Sequence, residues 1–156
     1  MTRLWISPGS TTTGSVVDPL CAACERGFVP DTLIFVQNPK VAAGMEKIAE
    51  IAEETVGVYG EVPDVRFENT EEETDFAGYY EIVRDTIEEA KDNGAEVAIN
   101  MTPGRKYMSG IAMQTGVQKG ADHVFYLLIE TREHYGEAYP NIPSTATELY
   151  DFTEEV

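Results

Sequence analysis

The only adjacent pair of cations in the chain, Arg105-Lys106, directly follows the triplet Thr102-Pro103-Gly104. A guanidinium fork beside a mobile ammonium is a donor set suited to phosphate or carboxylate. Thr-Pro-Gly turns the chain tightly and exposes backbone N–H groups. A helix beginning at about Arg105 adds its positive end to them. Cations are mildly unfavourable in a first helical turn. A bound anion would compensate them; a solvated helix start is the alternative reading.

Two other polar stretches have related chemistry. "SPGSTTTGS" (Ser7 to Ser15) is rich in hydroxyls and glycine. Ser7, Gly9, Ser10, Thr11 and Thr12 suit close approach to phosphate or ribose. The stretch lacks the lysine of the GxxxxGK[ST] phosphate loop, and it is not the GxGxxG dinucleotide fingerprint. "QNPK" (Gln37 to Lys40) offers Asn38, and the first stretch begins with Asn100.

Each polar stretch follows a short apolar run. The runs Arg3–Ser7, Thr32–Asn38, Val65–Asn69, Glu96–Met101 and His123–Glu130 read as strands. Most are apolar on both faces, as buried parallel strands are; Val65–Asn69 alternates, which suits an edge. Helical stripes lie between them. They are Val17-Leu20-Cys21-Cys24, Val41-Met45-Ile48-Ala52-Val56, Phe76-Tyr80-Val83-Ile87-Ala90 and Met108-Ile111-Ala112-Thr115. Asp18-Pro19 reads as N-cap and first helical residue, which starts the first helix late. Asp75 suits the N-cap of the third helix, and Gly94 and Gly120 fall where left-handed caps close helices.

Alternation of strand and helix predicts an α/β fold: a Rossmann-like open, mainly parallel sheet with helices on both faces. A single domain is expected over residues 1–156, with its core at about 2–130 and an extension at 131–156 whose "TELYDF" closes the sheet. In such sheets ligands bind beyond the carboxyl ends of the strands. The three polar loops therefore converge on one edge.

The composition excludes other classes. Twenty-eight acids against 11 bases give a formal charge of −17. That surface repels duplex nucleic acid and anionic membranes. The acids are spread along the chain, as expected for a protein of high-salt cytoplasm, where the Debye length falls to about 3 Å at molar salt. No apolar run reaches transmembrane length, and no signal peptide is expected. Cys21-x-x-Cys24 lies on an apolar helical stripe with no second pair, so core packing is expected rather than a metal site. "EEETD" (Glu71–Asp75) reads as a solvated approach to its helix. No metal or other cofactor is expected.

The stretch Asn100-Met101-Thr102-Pro103-Gly104-Arg105-Lys106-Tyr107-Met108, following an apolar strand, resembles the fourth-strand signature of CRISPR-associated Rossmann-fold (CARF) domains. The family's usual form is Asn-x-Thr-Gly-Gly-Thr-Lys-x-Met. Asp75-Phe76, the loop after the first strand and "VFYL" also resemble the family, over about Thr2 to Glu130. Pro103 stands where glycine is usual, which removes one N–H donor, and Arg105 where threonine is common.

The resemblance implies a homodimer that binds a cyclic oligoadenylate of type III CRISPR defence across its two-fold axis. It implies that Lys106 and the Thr102–Arg105 backbone hold phosphate, that Ser10 and Thr11 lie near ribose or phosphate, and that Asn38 approaches the ligand's edge. Such domains regulate an effector. The residues after Glu130 leave no room for a helical ribonuclease domain, and "REHYG" does not match that domain's Arg-x4-His motif. A stand-alone, haloarchaeal-type domain is therefore expected, in one of two roles. It senses the messenger for a separate effector protein. Or it is a ring nuclease, in which a ribose 2′-hydroxyl attacks its own phosphodiester without metal, with Lys106 stabilising charge and Ser10 or Thr11 positioning. A generic nucleotide-binding Rossmann-like enzyme is the third reading.

Overall fold

Trp5, Leu33, Phe35, Ala98 and Phe125 face one side of a sheet, and Leu4, Ile6, Ile34, Val36, Val97, Ile99 and Val124 the other. Both sides of the central strands are thus apolar, and both are covered. The computed structural model describes residues 2–130 and 132–155. Its elements run β1 (Arg3–Pro8), α1 (Thr13–Glu25), β2 (Thr32–Gln37), α2 (Pro39–Tyr59), β3 (Asp64–Asn69), α3 (Phe76–Asp92), β4 (Glu96–Asn100), α4 (Lys106–Lys119), β5 (His123–Ile129), β6 (Thr147–Asp151) and a short α5 (Phe152–Glu155). The six strands are ordered β3-β2-β1-β4-β5-β6. β1 to β5 are parallel and β6 is antiparallel to β5. Helices α1 and α2 pack on one face, α3 and α4 on the other. This is the α/β, Rossmann-like architecture expected.

Strand order reverses between β1 and β4. Their carboxyl ends therefore part and leave a crevice there. The alternating strand β3 is indeed an edge strand. β6 supplies Leu149 to the core, so this part of the C-terminal extension is integral to the sheet.

Two helices depart from the expectation. α1 begins at Thr13, not at Asp18-Pro19, and Pro19 sits inside it. The helix survives because the Ser15 carbonyl, which Pro19 has no N–H to satisfy, has another donor: Asn100 Nδ2 lies 3.4 Å away. Asp18 is buried instead of capping, and its Oδ1 accepts from the Tyr139 N–H at 2.9 Å. In α3 the buried stripe is Tyr79, Val83 and Ile87. Phe76 is 53% exposed. Its ring packs edge-on against Tyr107 of α4, with centroids 4.6 Å apart, and this holds it off the sheet.

Cys21 and Cys24 are both free and buried in α1, as core packing predicts. Burial pushes the Cys24 thiol up to about 12, so it is neutral. Among the described residues no helix is long and apolar enough to cross a membrane.

The opposite, amino edge of the sheet is closed by a charged cluster. His123 Nδ1 lies 2.7 Å from Asp151 Oδ2, and its Nε2 lies 3.0 Å from Glu96 Oε1. Burial disfavours the charged ring, but the two carboxylates outweigh it and raise the His123 pKa above 6.5. Burial likewise pushes Asp151 up, and its bonds to His123, Thr153 and the Val124 N–H outweigh that and hold it below 3.8.

The signs set a pH window. A raised histidine stabilises fully below its unfolded value and loses that contribution as pH rises through the folded one. A depressed aspartate loses its contribution as pH falls through the folded value. The stability difference between wild type and His123→Gln should therefore be largest in mild acid and shrink as pH rises above about 6.5. Urea unfolding at constant salt measures it. A difference that stays flat across that range contradicts the assignment.

Candidate functional site

β4 ends at Asn100, whose side chain is fully buried between the two halves of the crevice. Its Nδ2 donates to Ser7 Oγ at 3.2 Å and to the Ser15 carbonyl at 3.4 Å. Its Oδ1 accepts from the Thr102 N–H at 3.1 Å. One amide thus joins the end of β1, the first turns of α1 and the turn after β4. Ser7 is also fully buried, and its Oγ donates to the Pro8 carbonyl at 3.0 Å. Both side chains thus spend their hydrogen bonds on the loops in this structure.

Thr102 Oγ1 accepts from the Leu127 N–H at 3.1 Å, which ties the turn to β5. Pro103 is buried. Gly104 then adopts φ +86°, where a side chain is strained, and a Cβ there would meet Met108 Sδ at 2.6 Å. The angle requires glycine, and a Cβ would also push the flexible Met108 side chain aside. Arg105 is the N-cap of α4 and Lys106 its first residue. No side-chain oxygen caps this N-terminus, and no acid stands in its first turn. Both cations are exposed.

The other loops meet this turn. Gly9 N–H donates to the Val36 carbonyl at 2.7 Å, which draws the β1 loop toward β2. Ser10 Oγ accepts from the Thr12 N–H at 3.1 Å, while Thr11 and Thr12 are exposed. Asn38 is mostly buried and caps α2 by accepting from the Lys40 N–H at 2.9 Å. An open cavity of about 300 Å³ lies among the loops. Gly9, Ser10, Thr11, Asn38, Gly104 and Arg105 line it. Thr12 and Lys106 stand outside its wall, and Thr102 faces a different cavity beside α1 and β5.

Two charged residues of the cavity wall, Lys40 and Glu73, are not among the candidates the sequence offered. The Glu73 carboxylate accepts from both Lys40 and Arg105. Its backbone carbonyl accepts from the Tyr107 hydroxyl. The hydrogen bonds from Lys40 first, then Arg105, hold the Glu73 pKa below the usual carboxylate range. Asp75, two residues on, caps α3 by accepting from the Gly78 N–H at 2.9 Å. "EEETD" is therefore a folded turn whose middle carboxylate is engaged. The available signal was positional: the loop after β3 must reach the same edge as the other three.

Comparison with known proteins agrees with this fold. A family model described as CRISPR-associated protein NE0113 matches residues 33–151, and the chain belongs to that family. No curated protein sequence matches it. Among solved structures it resembles Can2 from Sulfobacillus thermosulfidooxidans in complex with cyclic tetra-adenylate, at TM-score 0.60 and 14% identity over 80% of this chain and 31% of Can2. It resembles Enterococcus italicus Csm6 bound to cyclic hexa-2′-fluoro-hexa-dAMP at TM-score 0.63 and 15% identity, over 96% of this chain and 41% of Csm6. It also resembles a type III CRISPR defence DNA nuclease activated by cyclic oligoadenylate, at TM-score 0.61 and 18% identity over 83% of this chain and 19% of that one. The chain thus spans well under half of each. At these identities the likeness is one of fold, and with the family it supports a CARF domain.

The Asn100–Ser15 contact makes a direct prediction. Asn100→Ala should destabilise the protein by about 2–4 kcal/mol, because it strands buried polar groups. Adding Pro19→Ala supplies the N–H that the Ser15 carbonyl lacks and should recover about 1 kcal/mol of that loss. A double-mutant cycle by urea unfolding measures the coupling. Strict additivity would show that the two sites are independent.

Proposed function

We propose that this protein binds a cyclic oligoadenylate of type III CRISPR defence and acts as its sensor. The observation that carries this reading is the uncapped N-terminus of α4, flanked by Arg105 and Lys106, opening on a cavity at the reversal of strand order. Backbone N–H groups and two cations there suit phosphate. The hydroxyls of Ser10 and Thr11 suit ribose. Membership of a CRISPR-associated family, and a fold shared with structures that hold cyclic oligoadenylates, favour this anion over others.

In this reading Lys106 and the Thr102–Arg105 backbone hold phosphate, Ser10 and Thr11 meet the sugar, and Asn38 sets the floor. The ligand's rotational symmetry calls for two matching half-sites. The protein is then a homodimer whose two-fold axis passes near the exposed Gly104, and a separate effector protein reads the bound state. Sedimentation in molar salt should give about twice the 17.2 kDa chain mass. A monomer that binds one ligand per chain would contradict the dimer.

Sensing is put ahead of cleavage because the likenesses bear on binding: two structures that share the fold are complexes with a cyclic oligoadenylate or its analogue. Calorimetry in molar salt should show binding of cyclic tetra- or hexa-adenylate. Arg105→Ala and Lys106→Ala should each weaken it about ten- to a hundredfold. Affinity no better than millimolar for every ring size would refute the reading. Chromatography of labelled ligand after hours with excess protein decides the role. Intact ligand supports the sensor. Linear products ending in a 2′,3′-cyclic phosphate, formed in EDTA and lost in Lys106→Ala, would establish the ring nuclease instead.

A further inference from the structure

Glu73 stands where the chemistry of the cavity calls for a ligand. Lys40 comes from the first turn of α2 and Arg105 from the N-cap of α4, so the two cations belong to separate elements. Both converge on one carboxylate. The Lys40 and Arg105 side chains are 71% and 67% exposed, whereas that of Glu73 is only 17% exposed. The carboxylate is covered by its two partners and lies in the cavity wall with Ser10 and Thr11. The Tyr107 hydroxyl holds the Glu73 backbone against the first turn of α4. This is the geometry of an anion bound between two donors, with the anion supplied by the chain itself.

We propose that Glu73 is a built-in competitor for the anion site, its carboxylate filling the place between Lys40 and Arg105 that a ligand phosphate takes on binding. The inference rests on the anion-site reading above and adds what controls that site. With Glu73 in place, a phosphate meets two cations and one anion; with Glu73 swung out, it meets two free cations. Exposed ion pairs are individually weak, so a ligand that carries several phosphates can displace the carboxylate, while a lone monoanion gains little by the exchange. Displacement leaves α3 intact, because its cap is Asp75 and not Glu73. The device therefore selects for ligands with phosphates at more than one point and keeps the cations occupied when none is present.

Glu73→Gln removes the charge and keeps the shape. Glu72→Gln is the control: Glu72 is exposed, makes no side-chain ion pair among the described residues, and changes the net charge equally. Inorganic pyrophosphate and cyclic tetra-adenylate are titrated into wild type and both variants by calorimetry, with unfolding curves confirming that all three fold. Glu73→Gln should bind pyrophosphate about three- to tenfold more tightly than wild type, and Glu72→Gln should match wild type. An equal gain in both variants would reduce the effect to bulk charge and overturn the proposal. So would unchanged or weaker binding in Glu73→Gln, or no pyrophosphate binding by it. A gain for pyrophosphate with no binding of cyclic tetra-adenylate by any form leaves the competitor standing and rejects the proposed ligand.

Discussion

The site depends on one buried amide. Asn100 lies at the reversal of strand order, where the sheet opens, and its side chain has no access to water. A buried amide is costly unless its donors and acceptor are used. Here they bond to the end of β1, to α1 and to the turn after β4. The requirement to satisfy that group orients everything downstream. The turn leaves in one direction, Gly104 reverses it in a left-handed conformation, and α4 starts with Arg105 and Lys106 at its mouth. Pro19 belongs to the same arrangement, since the carbonyl it leaves free is one that Asn100 reaches.

Charge imposes the second constraint. A chain with a formal charge of −17 has few cations to spend, yet Lys40, Arg105 and Lys106 all stand at the carboxyl edge of the sheet. Helix N-termini gather there as well, because every β-strand to α-helix loop of a parallel sheet lies on that edge. The positive region is local and sits within an acidic surface. Glu73 neutralises part of it from inside the fold. At the other edge His123 lies between two carboxylates, which favour its charged form. The carboxyl edge combines cations with a cavity and the open N-terminus of α4, whereas the amino-edge cavity sets Arg3 and Arg26 beside the carboxylates of Glu96, Asp151 and Glu154.

Much of this was legible in the residues. Continuous apolar runs marked the central strands, alternation marked β3 as an edge, and Asp75 declared its cap. The loops at residues 9–12, 38–40 and 102–105 could be placed on one edge because parallel topology leaves no other place for them. What stayed hidden needed tertiary knowledge. Pro19 reads as a helix start until Asn100 is seen to satisfy Ser15. The α3 stripe could rotate by one residue, since Tyr79 and Tyr80 lie four and three residues, about one turn, before Val83, and contact with Tyr107 decides between them. Ser7 and Asn100 look like ligand groups because polar residues at strand ends usually are, and their burial and their bonds to the loops appear only in the fold. Glu73 resembles its acidic neighbours in type, and nothing local distinguishes it from Glu71 and Glu72.

The central claim is that an anionic ligand docks on the carboxyl edge, against the turn at residues 102–106. Amide chemical shifts followed during titration of labelled protein with cyclic tetra-adenylate in molar salt test it most directly. The account predicts that the largest changes fall at Gly9 to Thr11, Lys40 and Val41, and Gly104 to Tyr107, with small changes at Phe28, His123 and Asp151 on the opposite edge. Changes centred on that opposite edge, with the turn at 102–106 unmoved, would contradict it.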